Sequence, residues 1–254
     1  MPKLEQRAAS QRNRGTGLYD RFMDDSSVEG DGVDTQAELR AVIFDYGGVL
    51  SLVPTPPDWE NLARAARIPL AVLQSGYWKF REEYDCAVFG GVTYWRRIVG
   101  AAGQTLTDNE AAQLIALDNL QWLKENWPAI KLAASLRAME VKTAILSNMQ
   151  FEMLTGMRAK FSWLEQFDRQ LYSCELGISK PDPEIFRHAV KLLKVNPAEA
   201  LFLDDREENL EGAARVGLRT MQYEAPGSQA ALENLLGCLG LNLHSGPSRC
   251  AGAS

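Results

Sequence analysis

"AVIFDYGGVL", Ala41 to Leu50, decides the fold. Four apolar residues run without a polar break, Asp45 follows at the tip, and glycines stand at positions 47 and 48. A strand buried on both faces reads as a continuous apolar run, and this run is too short for a helix. The chain therefore puts a carboxylate at the end of an inner strand and strips side chains just beyond it. Later stretches repeat the pattern. "KTAILSN" (142–148) ends in Ser147 and Asn148, and "ALFLDD" (200–205) ends in Asp204 and Asp205. "QLYSCE" (170–175) reads as a strand and leads into "GISKPDPEIF" (177–186), with Lys180 ahead of a proline-bounded helix start. "LRTMQY" (218–223) is a further strand.

Helical patterns fill the gaps: Ile130 to Met139, Phe151 to Lys160, "DPEIFRHAVKLLKV" (182–195) and "REENLEGAARVG" (206–217). Strands alternating with helices predict a parallel sheet with right-handed crossovers. In such sheets ligands bind beyond the carboxyl ends of the strands. Each apolar run here delivers a polar residue to that edge.

Residues 54–127 break the rhythm. "PTPP" (54–57) reads as a stiff linker, and "DWENLARAARI" (58–68) opens on a cap-like Asp58. "TDNEAAQLIALDNLQWLKENW" (107–127) begins with Thr107 and has Glu110 three residues on, a capping box. Five of the six tryptophans fall here: Trp59, Trp78, Trp95, Trp122 and Trp127. Rings in such a block mostly pack a core, with one or two lining a lid. The organisation expected is a disordered tail over 1–38, an α/β core over 39–53 and 128–243, a helical cap over 54–127, and a loose tail over 244–254.

Apolar residues make up 46% and charged residues 24% of the chain, the balance of a soluble globular protein. The net charge of −6 argues against nucleic-acid and membrane-surface partners. No apolar run approaches the ~20 residues of a membrane helix. Cys86, Cys174, Cys238 and Cys250 are scattered without zinc spacing, which fits a reducing compartment. The expected location is cytoplasmic. Lys3, Arg7, Arg12 and Arg14 against the single acid Glu5 in the first 18 residues keep an organelle transit peptide as the alternative. His188 lies within a helical stretch and His244 in the tail, so neither reads as catalytic.

Taken together, "FDYGGVL", "LSN", "SKPDPEIF" and "FLDDREENLEGA" resemble the four motifs of the haloacid dehalogenase-like superfamily. The branch of closest likeness holds the N-terminal phosphatase domain of mammalian epoxide hydrolase and the domains fused to some acyl-CoA dehydrogenases. The resemblance implies a Rossmann-like core with a small helical cap inserted after the first strand. It also implies Mg²⁺ and an aspartyl-enzyme intermediate, with a small phosphate ester as the usual substrate. Carried onto this chain, Asp45 is the nucleophile and Lys180 its cationic partner. Asp45, Asp204, Asp205 and the main-chain carbonyl of Gly47 are the metal ligands. Gly47, Gly48, Ser147, Asn148 and Lys180 hold the phosphate. Physical chemistry supports the set, because clustered carboxylates repel unless a hard cation joins them, and glycines let backbone approach a ligand closely.

One position departs from the family pattern. The residue two beyond the nucleophile is usually an acid that protonates the leaving group, and here it is Gly47. General acid help is worth ~10²–10⁴ in rate. Its loss predicts slow turnover of poor leaving groups, a preference for acidic ones such as sugar-1-phosphates, or a donor elsewhere, with Asp58 as a candidate. It also leaves two other readings open: a non-catalytic module that kept the fold, and a 2-haloacid dehalogenase using Arg64 or Arg67 from the cap.

Overall fold

The structure is a computed structural model that describes residues 37–238 and Leu241. Of the expected tail at 1–38, residues 1–36 lie outside the described residues, as does the whole of the expected tail at 244–254.

Five parallel strands form one sheet in the order β3-β2-β1-β4-β5. They are β1 (Ala41–Phe44), β2 (Lys142–Ser147), β3 (Arg169–Tyr172), β4 (Ala200–Asp204) and β5 (Arg219–Gln222). β1 pairs with β2 and β4, Phe44 standing between Ile145 and Leu203. All four of its residues are wholly buried. Val42 and Phe44 join one core cluster, while Ala41 and Ile43 join the other. The run is continuously apolar because each side chain, whichever way it points, meets a layer of helices.

The first face is covered by Trp127–Ala138, Phe151–Lys160 and Gln229–Cys238, and the second by Pro183–Leu193 and Glu207–Ala214. Chain order runs outward from β1 to β3 and then returns to β4 on the other side of β1. That reversal makes the switch point at which open sheets of this kind leave a crevice.

The insertion after β1 holds α1 (Pro56–Ala66), α2 (Leu70–Lys79), α3 (Arg81–Asp85), α4 (Gly91–Gly100) and α5 (Asp108–Trp122). Its own apolar cluster includes Leu62, Tyr77, Tyr94, Trp95, Ile98 and Leu114. The two linkers to the core run side by side, with Leu52 N–H donating to Lys124 C=O (2.7 Å) and Asn126 N–H to Leu50 C=O (2.9 Å).

Two local readings change. Two of the prolines of "PTPP" belong to the helix: Pro54 precedes it, Thr55 is its N-cap, Pro56 and Pro57 open it, and Asp58 sits in its first turn. Proline's fixed φ suits a first turn, where no N–H is needed. The "QLYSCE" strand is shorter than expected. β3 stops at Tyr172, opposite Ser147 at the end of β2. Ser173 then opens a helical turn (Ser173–Leu176), and its hydroxyl accepts from Met149 N–H (2.8 Å) and donates to Asp85 C=O (2.7 Å).

Candidate active site

The crevice gathers the ends of β1, β2 and β4 together with the loop that carries Lys180. Asp45, Tyr46, Gly47, Ser147, Asn148, Lys180, Asp205 and Asn209 line one cavity. Lys180 is its electrostatic centre. The Nζ lies 2.9 Å from Asp45 Oδ1 and 2.6 Å from Asp204 Oδ2, and the side chain is only 1% exposed. Burial alone would lower the ammonium, but Asp204 and Asp45 override it and hold it above its ordinary value.

Ligand atoms of Asp45, Asp204 and Asp205 lie within 4.8 Å of one another. Burial pushes the Asp45 carboxyl above the usual carboxylate range, against the pull of Lys180, and the two other acids add to the rise. The Asp205 carboxyl is pushed up to about 6 by burial and by Asp204. Such a set is short of positive charge, and its hard oxygen donors suit a small divalent cation. The acids are not equivalent. Both oxygens of Asp204 are engaged, by Lys180, by Asn209 Nδ2 (3.0 and 3.1 Å) and by Arg206 N–H (2.9 Å). Asn209 therefore bonds Asp204 and not Asp205.

Gly48 shows why the loop carries no side chain there. Its φ is +74°, and a Cβ would lie 2.8 Å from Asp205 Cγ and Oδ2. Both the backbone region and the space demand glycine. Asn148 is tied up by the main chain of Lys180. Its Oδ1 accepts from Lys180 N–H and its Nδ2 donates to Lys180 C=O, each at 2.8 Å. The side chain thus fixes the loop that aims Lys180.

The cap's share of the cavity wall comprises Trp78, Arg81, Asp85 and Trp122: two of its rings line the cavity, as expected of the tryptophan-rich block, whereas sequence reasoning missed Arg81 and Asp85. Arg81 Nε bonds both oxygens of Asp85 (2.9 and 3.0 Å), Nη1 reaches the Tyr77 hydroxyl (2.5 Å), and Nη2 reaches Gln150 Oε1 (2.7 Å). Arg81 and Asp85 are four apart on one helix, a signal too common to stand out. The two arginines suggested for a halide site fall elsewhere. Arg64 is exposed, and Arg67 ends α1 and pairs with Glu110 (2.5 Å). Asp58 is also remote from the cavity. It lines a separate cleft with Asn61, Leu117 and Lys124, and its oxygen accepts from Thr55 and Lys124. Those bonds lower its carboxyl to about 2, so it is no proton donor near neutrality.

Comparison with known proteins agrees with this geometry. The profile of the haloacid dehalogenase-like hydrolases matches residues 39–217. The chain is 33% identical over 223 residues to acyl-CoA dehydrogenase family member 10 of Mus musculus, covering 82% of this chain and 20% of that protein. It is 28% identical over 199 residues to bifunctional epoxide hydrolase 2 of Sus scrofa, covering 72% and 36%. It thus spans about a fifth to a third of those relatives. It is 29% identical to the sesquiterpene phosphatase astK of Aspergillus oryzae, covering 79% of this chain and 98% of that one. Among solved structures, a family enzyme of Bacteroides thetaiotaomicron in complex with magnesium and inorganic phosphate shares the fold. Its TM-score is 0.61 at 21% identity, over 76% of this chain and 98% of that one. With its matched profile, its parallel sheet and its carboxylate-lined crevice, this chain belongs to the haloacid dehalogenase-like hydrolases.

Proposed function

We propose that the protein is a phosphatase that hydrolyses small phosphate monoesters through an aspartyl-phosphate on Asp45. The observation that carries this reading is Lys180 Nζ, held 2.9 Å from Asp45 Oδ1 inside a cluster of three carboxylates. A divalent cation would be held by Asp45 and Asp205, with the Gly47 carbonyl as a further ligand. When bound it supplies charge to offset a phosphate dianion. Asp204 anchors Lys180.

In the first step an Asp45 oxygen attacks phosphorus as the ester oxygen departs in line. Lys180 steadies charge on the transferring group and keeps Asp45 aimed. The Ser147 hydroxyl and the backbone at Gly47 and Gly48 hold phosphate oxygens. Water then attacks phosphorus, the Asp45 carboxylate is released, and inorganic phosphate leaves. The cap closes over the crevice and limits water. A dehalogenase reading gains nothing from the cap, because Arg81 is committed to Asp85, Tyr77 and Gln150.

The experiment is hydrolysis of p-nitrophenyl phosphate with and without Mg²⁺, beside Asp45→Asn. Mg²⁺-dependent release that the substitution abolishes supports the reading. Equal background in both proteins would leave a non-catalytic module, and metal-free halide release from a 2-haloacid would leave a dehalogenase.

A further inference from the structure

Gly47 offers no side chain beside the nucleophile, and the cap fills the space over it. A Cβ at position 47 would meet Trp122 Cζ3 at 3.3 Å and Cε3 at 3.8 Å, so the six-membered ring of the indole lies over the glycine. The ring is held firmly. Its Nε1 donates to the Tyr77 hydroxyl (3.0 Å), and the Tyr77 hydroxyl donates to Asp118 (2.9 Å). From the core, the Tyr46 hydroxyl donates to the Trp122 carbonyl (3.1 Å). Trp78, Met149 and Met153 line the same cavity. The polar groups on the cap side, Arg81 and Asp85, are bonded to each other. Beside that ion pair, Trp78, Trp122, Met149 and Met153 give the cavity an aromatic and thioether wall, a surface for flat apolar groups.

We infer that Trp122 is the specificity-determining residue of this enzyme, standing in the place of an acid at position 47. It selects phosphate monoesters whose leaving group is flat, apolar and stable as an anion, the aryl phosphates. The inference rests on the phosphatase reading. Its chemistry needs no proton donor in the first step. Asp45 forms a bond to phosphorus, the phosphorus–oxygen bond of the ester breaks, and the electron pair leaves with the aryl oxygen as a phenolate. The phenolate takes its proton from solvent. Water then adds its oxygen to phosphorus, the bond to Asp45 breaks, the carboxylate regains its electron pair, and the proton goes to solvent. Hexose 6-phosphates, with many hydroxyls and a basic primary-alcohol leaving oxygen, fit neither the wall nor the missing acid, and sugar-1-phosphates, whose leaving oxygen is more acidic, still do not fit the wall.

The test compares kcat/KM for phenyl phosphate, a hexose 6-phosphate and acetyl phosphate in Mg²⁺. Acetyl phosphate has an acidic leaving group too small to lie along the wall, so it reports the core chemistry. In the wild type, phenyl phosphate should exceed the hexose phosphate by about 10²-fold or more. Trp122→Ala should lower the ratio of phenyl to acetyl phosphate by about tenfold, the scale of one aromatic contact. Trp122→Phe, which keeps a ring and loses the N–H, should retain most of that ratio and guards against a cap that merely misfolds. Gly47→Asp combined with Trp122→Ala should raise the hexose phosphate relative to phenyl phosphate. Acetyl phosphate turnover with unchanged ratios in every variant overturns the inference and leaves the phosphatase reading intact. No turnover of any ester, acetyl phosphate included, overturns both.

Discussion

Asp45 and Asp205 cluster with one ammonium group, Lys180, and a third acid, Asp204, and that imbalance has a thermodynamic signature. The Asp205 carboxyl is raised by burial and by Asp204 from 3.8 to about 6, and Asp45 is raised as well. An acid whose folded value lies above its unfolded value binds more protons in the native state. Its contribution to stability is fully present below the unfolded value and is lost as pH rises through the folded one. The metal-free protein should therefore lose thermal stability as pH rises from about 4 through about 7. A divalent cation bound to these carboxylates removes the reason for holding protons. Melting curves at pH 5 and pH 7, each with and without Mg²⁺, check this. Mg²⁺ should raise the melting temperature more at pH 7 than at pH 5, and an equal or smaller gain at pH 7 would refute the assignment of the acids as ligands. The same residue scale was largely legible in the sequence, because each acid or amine ends an apolar strand or precedes a proline-bounded helix. The bonds among them were not. Spacing cannot say that Asn209 would choose Asp204 over Asp205, since both acids sit at nearly the same separation along the chain.

At the scale of elements, the sheet was readable and the entry to the cap was not. β1 shows two buried faces as an unbroken apolar run, which nothing else so short and so flanked can be. The entry to the cap misled because proline signals both a linker and a first helical turn. The structure resolves the ambiguity through Asp58, whose carboxylate accepts from the Thr55 N–H (2.7 Å) and hydroxyl (2.6 Å) and pairs with Lys124. Its carboxyl is lowered, by Lys124 first and then Thr55, to about 2. A depressed acid contributes stability above its unfolded value, and the contribution is lost as pH falls through the folded one. Asp58→Asn should thus destabilise the protein near pH 7 by about 1 kcal/mol, the ordinary worth of a helix cap. The urea midpoints of the two proteins should converge as pH is taken from 7 toward 2. A constant gap would mean that Asp58 acts through packing and not through charge.

At the scale of the molecule, the cap is a second small core set over the first. Its apolar cluster shares no residue with the two clusters that flank the sheet. That independence explains why cap residues at the site escaped the sequence. Helical periodicity separates buried from exposed positions, but Arg81 and Asp85 face another body and obey neither pattern, and which of the five cap tryptophans would line the site could not be read from spacing. Contact between the two bodies combines the packing of Trp122 against the core with a set of polar bonds beside the paired linkers. Arg81 Nη2 donates to Gln150 Oε1 (2.7 Å), Gly91 N–H donates to Glu152 Oε1 (2.8 Å), and Ser173 bridges Asp85 and Met149. Gln150→Ala removes the first, together with the longer bond from Gln150 Nε2 to Asn119 Oδ1 (3.4 Å), and leaves Arg81 paired with Asp85. A hydrogen bond to a charged group is worth about 1.5–3 kcal/mol, enough to raise the open fraction at least about tenfold. Opening of the cap exposes the Gly91 amide but not the Asp45 amide, which donates to Leu203 C=O within the sheet (2.8 Å). Hydrogen exchange in the variant should therefore quicken about tenfold at Gly91 while Asp45 keeps its protection. Faster exchange at both amides would mean that the whole fold has loosened, and no change at either would mean that Gln150 does not hold the cap shut.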